Sequence, residues 1–355
     1  MKKLFFIAAM AGAALVGCTK NEVNPGAQQG EITFAAPVVG LQTKAPQYGE
    51  VGVNYNENES FGVYALHTAG DFASWEAGTL YMGTTTEGLK CWKNAGENYW
   101  APGLPYYWPK EGKLTFAAYS PYDLTNVESV SYGKTGLTVT GFELSANTAE
   151  HFDFLYAERV CNYEEATMNQ PANEETDDED ATYKYDGVNL MFKHAMSSVV
   201  FKVARNSNID ASTTITLNSI TLTGVTTKAT FEENITAEPY TASPKWTASA
   251  TGNVVTYNLP VSLTTDLTEY VNNGDDDVIL IPQVLDGVNL VLNYNITTPG
   301  GHTVNQETTV SLKSYTGEWV MGMRYTYNIT IDMYEVVFDP AVAPWVDETA
   351  QSIVL

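Results

Sequence analysis

The sequence predicts an all-β protein built as two β-sandwich blocks in tandem. Three observations carry that prediction. From Tyr48 onward, short runs of β-branched and aromatic residues alternate with Gly, Asn, Pro and Asp; such lengths and breakers spell strands and turns. No segment keeps an apolar period of about 3.6 residues over the length of a helix. The chain runs to 355 residues, more than one small core serves, so two domains are the natural division.

The elements follow in order. Lys2 and Lys3 precede an uncharged apolar run, Leu4 to Leu15, ending in Leu15-Val16-Gly17-Cys18. The run is too short to span a bilayer as a helix and reads as an export signal over residues 1–17. Its Leu-x-Gly-Cys ending resembles the bacterial lipoprotein box, which makes Cys18 the lipid attachment site. Acyl chains there contribute roughly 0.8 kcal/mol per buried CH₂, which holds the protein to the outer membrane. Residues 18–30 are polar, with Pro and Gly, and read as a flexible tether. Glu31-Ile32-Thr33-Phe34 alternates polar and apolar before an apolar stretch through Val38-Val39, which predicts a strand over Glu31 to Leu41. Gln42-Thr43-Lys44 breaks that run, so the Lys44–Ala45 bond is expected to be exposed, at the end of a first-strand unit covering residues 31–44.

Residues 45–185 form the first expected block, with strands at Phe61 to Leu66, Lys113 to Tyr119 and Leu137 to Thr140. Within it, residues 162–187 differ in texture. The acidic run Asn173 to Asp180 has no apolar anchor and reads as a solvated connection between blocks; it lacks the Gly and the alternation of a calcium loop. The second block, residues 186–333, opens with Gly187 to His194 and Ser198 to Val203. Further strands are expected at Thr214–Thr223, Asn253–Leu259, Asp277–Pro282, Val288–Thr297, Thr308–Lys313 and Arg324–Ile331, with a short helix over Thr264–Asn273. The tail, residues 334–355, carries two apolar runs, Val336-Val337-Phe338 and Ile353-Val354-Leu355, punctuated by Asp339-Pro340 and Ala343-Pro344. It either closes its own sheet or extends as a strand for another molecule.

Composition excludes several functions. The net charge is −24, from 42 acidic and 18 basic residues. Residues 1–44 carry a net +2, so a form starting at Ala45 stands near −26. Such a chain repels phosphate backbones, which excludes nucleic acid as a partner, and like charge keeps subunits soluble. His67, His151, His194 and His302 are widely scattered, and neither a nucleophile elbow, a zinc-protease motif nor a phosphate-binding Gly loop occurs. No catalytic residue, cofactor or metal is therefore expected. Cys91 and Cys161 are open to pairing as a disulfide or to burial as two thiols.

Several phrases, in order along nearly the whole chain, resemble the Bacteroidales fimbrillin (Mfa-like) family, the type V pilins. They are Tyr107-Trp108-Pro109 followed by Leu114 to Pro121; Asp153-Phe154-Leu155-Tyr156-Ala157; Leu190 to Ala195; Leu280-Ile281-Pro282-Gln283; and Trp319 with Gly322 and Arg324 to Ile329. The resemblance implies two transthyretin-like β-sandwich domains and a route of assembly. A lipoprotein precursor is carried to the outer membrane, and an arginine- or lysine-specific protease cuts after the first strand. The groove so opened takes a strand from another pilin subunit, giving an extracellular fimbrium that supports adhesion. On this chain Cys18 carries the lipid, Glu31 to Leu41 is the lost strand and Lys44-Ala45 the cut. The donated segment lies in residues 334–355, with Val336, Val337, Phe338, Ile353, Val354 and Leu355 as its apolar side chains. The best-known members carry Arg where this chain has Lys44; no Arg precedes Arg159. Shaft, tip and anchor subunits are all compatible with the family, and a tail long enough to donate favours the shaft.

A binding role is the rival. Trp92, Tyr99, Trp100, Tyr106, Tyr107 and Trp108 fall within seventeen residues. Aromatic faces stack on sugars, so Trp92, Trp100 and Trp108 are candidate contacts to a host glycan; packing in the first block is the alternative use.

Overall fold

The computed structural model describes residues 30–35, 38–39, 60–71, 78–93, 99–133, 135–163, 187–236, 241–270, 277–333 and 336–344. The chain is all-β, and its helical turns among these residues are short 3₁₀ turns at Thr148–Glu150 and Leu312–Ser314. Cys18, Lys44, Ala45, the acidic run at 173–180, Ile353, Val354 and Leu355 lie outside the described residues.

The first sheet contains β1 (Val38–Val39), β2 (Ser60–Thr68), β3 (Thr79–Met82), β4 (Leu89–Lys93), β5 (Trp100–Pro102) and β6 (Lys113–Ser120). After β7 (Ser129–Gly133) and β8 (Gly136–Glu143), it is completed by β9 (Leu155–Tyr163) and β10 (Met191–His194). Its order is β1-β10-β9-β6-β2-β4-β5, with β3 also on β2. Strands β2 and β6 are apolar nearly throughout because both of their faces are covered. Phe61, Val63, Ala65, Leu114, Phe116 and Ala118 enter one core with Cys91, Leu155 and Phe192. Tyr64, Leu66, Ala117 and Tyr119 face a second core on the other side. A strand buried on two faces loses the polar–apolar alternation of a half-exposed one. Cys91 is a free, buried thiol in the first core, and burial pushes its pKa well up, which leaves it inert.

The second layer is formed by β11 (Ser197–Arg205), β12 (Thr214–Glu232), β13 (Ile235–Thr236), β14 (Thr241–Ala242), β15 (Lys245–Tyr257), β16 (Val261–Ser262) and β17 (Thr268–Glu269). It continues through β18 (Val278–Leu280), β19 (Gln283–Val284), β20 (Asn289–Thr297), β21 (Thr303–Ser311), β22 (Glu318–Trp319), β23 (Met323–Ile331) and β24 (Val336–Pro344). One sheet runs β21-β20-β12-β8-β7, with β15 and β16 also on β12; another runs β17-β11-β23-β24, with β18 on β11. Alternating side chains of β12 (Ile215, Leu217, Ile220, Leu222), β20 (Leu290, Leu292), β11 (Val199, Phe201, Val203) and β23 (Tyr325, Tyr327, Ile329) meet in the second core. Asp277 pins β23 to β11, since Arg324 reaches its carboxylate at 2.8 and 2.9 Å and Ser198 donates to it as well.

Two details depart from the sequence reading. The expected helix over Thr264–Asn273 is not formed in its described part: Thr268–Glu269 is a strand paired with Lys202 and Val203, and the β-branched Thr residues there suit a sheet edge better than a helix. Strand β10, which lies past residue 186, pairs with β9 in the first sheet. The two halves also share β12, whose beginning pairs with β20 and whose end, Lys228 to Glu232, pairs with β8.

Candidate strand-exchange site

The site lies at the two ends of the first sheet. On one side stand β5 and the chain at Tyr106–Trp108; on the other stand Val188 and β10. Residues 30–35 fill the space between them and bond to both. Towards the first side, Phe34 N–H donates to the Trp100 carbonyl at 2.8 Å and Trp100 N–H returns the bond at 2.8 Å. Ile32 N–H donates to Tyr106 at 2.7 Å, and Trp108 N–H donates to Gly30 at 2.7 Å. Towards the second side, Ala35 N–H donates to Val188 at 3.1 Å, and Val188 N–H donates to Thr33 at 2.8 Å. The pairing is antiparallel on the first side and parallel on the second. Beyond it, β1 continues the parallel pairing, Val38 opposite Met191 and Val39 opposite Phe192. The segment thus closes the sheet into a ring.

The side chains explain why this sequence sits here. Ile32 and Phe34 are fully buried in the first core. Phe34 meets Phe61 and Phe116 edge-on, with ring centroids 5.6 and 5.7 Å apart, the geometry aromatic quadrupoles favour. Thr33 is buried too, its carbonyl accepting the Val188 N–H. Gly187 allows the approach: its φ is +140°, and a Cβ there would lie 2.3 Å from the Thr33 carbonyl. Each buried Ile or Phe contributes roughly 1.5–3 kcal/mol, and each backbone bond about 0.5–1.5 kcal/mol net. Without the segment, a row of N–H and C=O groups and an apolar slot would face water.

The aromatic cluster divides. Trp100 and Trp108 are only 4% and 7% exposed, in the core beneath the 30–35 segment; they pack the first block and have no face to offer a glycan. Trp92 and Tyr107 are 43% and 45% exposed. Sequence proximity brought the six aromatics together, but only strand pairing separates the inward from the outward ones.

In the tail, β24 pairs antiparallel with β23 over its whole length, from Ile331–Val336 to Met323–Pro344. It is the edge of its sheet. Val337 and Val342 are about half exposed, and Ala341, Ala343 and Pro344 face solvent as well. Residues 336–344 are therefore folded back on their own sheet, paired along their length with β23.

A family model described as fimbrillin-like matches residues 43–345. The chain belongs to the fimbrillin-like family. No curated protein matches the sequence. Among solved structures, this fimbrillin is similar to a fimbrial protein from Bacteroides vulgatus, at 18% identity over 89% of this chain and 99% of that one, with a TM-score of 0.58. It is also similar to a candidate cell adhesion protein from Bacteroides uniformis, at 17% identity over 89% and 98%, with a TM-score of 0.51. At these identities the likeness concerns the fold. Fimbrillins are structural, non-enzymatic subunits of the cell surface that assemble with other pilin subunits.

Proposed function

We propose that this fimbrillin is a shaft subunit of a type V fimbrium, exported as a lipoprotein precursor and polymerised by donor-strand exchange. Cys18 carries the lipid that anchors the precursor to the outer membrane. A lysine-accepting protease cuts the Lys44–Ala45 bond, and the 30–35 segment leaves the ring it closes. A strand from the tail of another subunit takes its place in the groove, and the finished fimbrium carries adhesion. The two blocks correspond to transthyretin-like sandwich domains, joined through β12.

The observation that carries this reading is the double pairing of residues 30–35. A segment that completes both edges of a sheet and buries Ile32 and Phe34 is an intramolecular stand-in for a strand supplied in trans, and β-strand addition is a general mode of recognition. The fimbrillin-like family match over residues 43–345 supports it, because fimbrial subunits assemble with one another. The folded-back position of β24 adds a step: an exposed edge strand detaches from β23 before residues 336–355 are donated. The same folded-back strand favours a second reading, a tip subunit that accepts a strand and keeps its own tail at home.

The deciding experiment is N-terminal sequencing and intact mass of the surface-extracted protein, run beside unboiled gel samples. A start at Ala45 with a heat-sensitive ladder is expected. A lipidated start at Cys18 with no ladder overturns the shaft role and leaves an anchor subunit or a surface lipoprotein. A start at Ala45 with the protein confined to single copies per fimbrium selects the tip.

A further inference from the structure

We propose that the cleft beside Trp92 is a carbohydrate site for a neutral sugar ring, and that it is complete only while residues 30–35 occupy the sheet. The cleft has a volume of about 290 Å³ and is lined by Glu31, Trp92, Pro102, Gly103, Pro105 and Tyr107, with Ala101. That is just below the roughly 300–1,000 Å³ of drug-sized ligand sites, room for a single sugar ring, and the lining presents more polar than apolar surface.

Each wall is fixed from behind. Trp92 stands on β4 opposite Ala101 of β5, alternating with Cys91, which points into the core. Gly103 lies against the indole, where a Cβ would come within 2.7 Å of the ring. Tyr107 is bridged through its backbone to Glu31, and its carbonyl accepts the Tyr81 hydroxyl at 2.5 Å. Two prolines between them limit the loop's freedom. The result is two outward aromatic side chains held at the rim of a cleft with a carboxylate. The Glu31 carboxylate and the Trp92 indole N–H make no hydrogen bond or ion pair with the described residues.

That chemistry suits a pyranose. Its C–H face packs on an aromatic ring, its hydroxyls donate to the carboxylate in charge-assisted bonds, and the indole N–H meets a ring or hydroxyl oxygen. A net charge of −24 with Glu31 in the site disfavours sugars bearing carboxylates. Because Glu31 belongs to the segment that closes the ring, the site has its carboxylate only while that segment is in place. The uncut chain carries the site whatever later becomes of the segment, so its failure and that of strand exchange are read separately.

The test uses the full chain in detergent, with saturation-transfer NMR against a panel of neutral hexose and N-acetylhexosamine oligosaccharides and their sialylated counterparts. At least one neutral oligosaccharide is expected to bind, its sialylated form about tenfold more weakly or worse. Trp92→Ala loses the transfer signal, Trp92→Phe retains part of it, and Glu31→Gln weakens binding about tenfold with an unchanged melting curve. Silence across the neutral panel overturns the proposal. So does undiminished binding by folded Trp92→Ala or Glu31→Gln protein.

Discussion

At the scale of residues, Gly187 is the position where closure of the first sheet is most easily undone. Its φ of +140° and the Thr33 carbonyl 2.3 Å from a built Cβ exclude any side chain. Gly187→Ala is expected to destabilise the uncut chain by at least about 1–3 kcal/mol, read from denaturant melts, and to hinder any strand that later fills the same slot. His151 sets a second expectation. It is mostly buried, its Nε2 is 2.9 Å from the Ser145 carbonyl, and burial lowers its pKa below the ordinary 6.5. The unfolded chain thus takes up the proton before the folded one does. Stability from this residue is complete above about pH 6.5 and declines as pH falls from there towards the lowered folded value. Melts of His151→Gln should be flatter over that acidic range than those of the native sequence; identical slopes would refute the assignment.

At the scale of elements, the first strand and the last are held very differently. Residues 30–35 bury Ile32 and Phe34 and bond on both sides, whereas β24 bonds to β23 alone and leaves Val337 and Val342 half exposed. A chain ending at residue 335 is therefore expected to fold and to accept a strand, yet donate none. Mixed with intact subunits, it should shorten the ladder on unboiled gels; ladders of undiminished length would place the donor elsewhere. The contrast was partly legible beforehand. Alternation at Glu31 to Phe34 announces a strand, and the dense apolar runs at Phe61 and Leu114 announce central ones. What the pattern does not carry is partnership. That residues 31–34 close against Trp100 and Tyr107 is a contact between distant segments, which no local period encodes. The extension of β12 beyond Thr223 was hidden for a local reason. Gly224, with φ +73°, sits at a bulge against the Gly287 carbonyl, and a Gly followed by Thr226-Thr227-Lys228 reads as a turn when it is a bend in a continuing strand.

At the scale of the molecule, charge opposes assembly. Copies at −24 or beyond approach against mutual repulsion. Raising the ionic strength from about 0.01 to about 0.1 M shortens the screening length from about 30 to about 10 Å. Polymerisation of cut subunits should therefore speed up with salt, followed by light scattering; a rate that falls would mean that attractive charge pairs direct docking. The shared strand also bears on how such a fibre meets flowing liquid. β12 is hydrogen-bonded to β8 at one end and β20 at the other, so a pull applied between the groove and the tail is shared by the ladders on either side of one long strand. Through it the two halves share one hydrogen-bonded sheet. Pulled singly in a force spectrometer, the molecule should resist as one unit and give a single tall rupture, where two beads on a string would give two lesser ones.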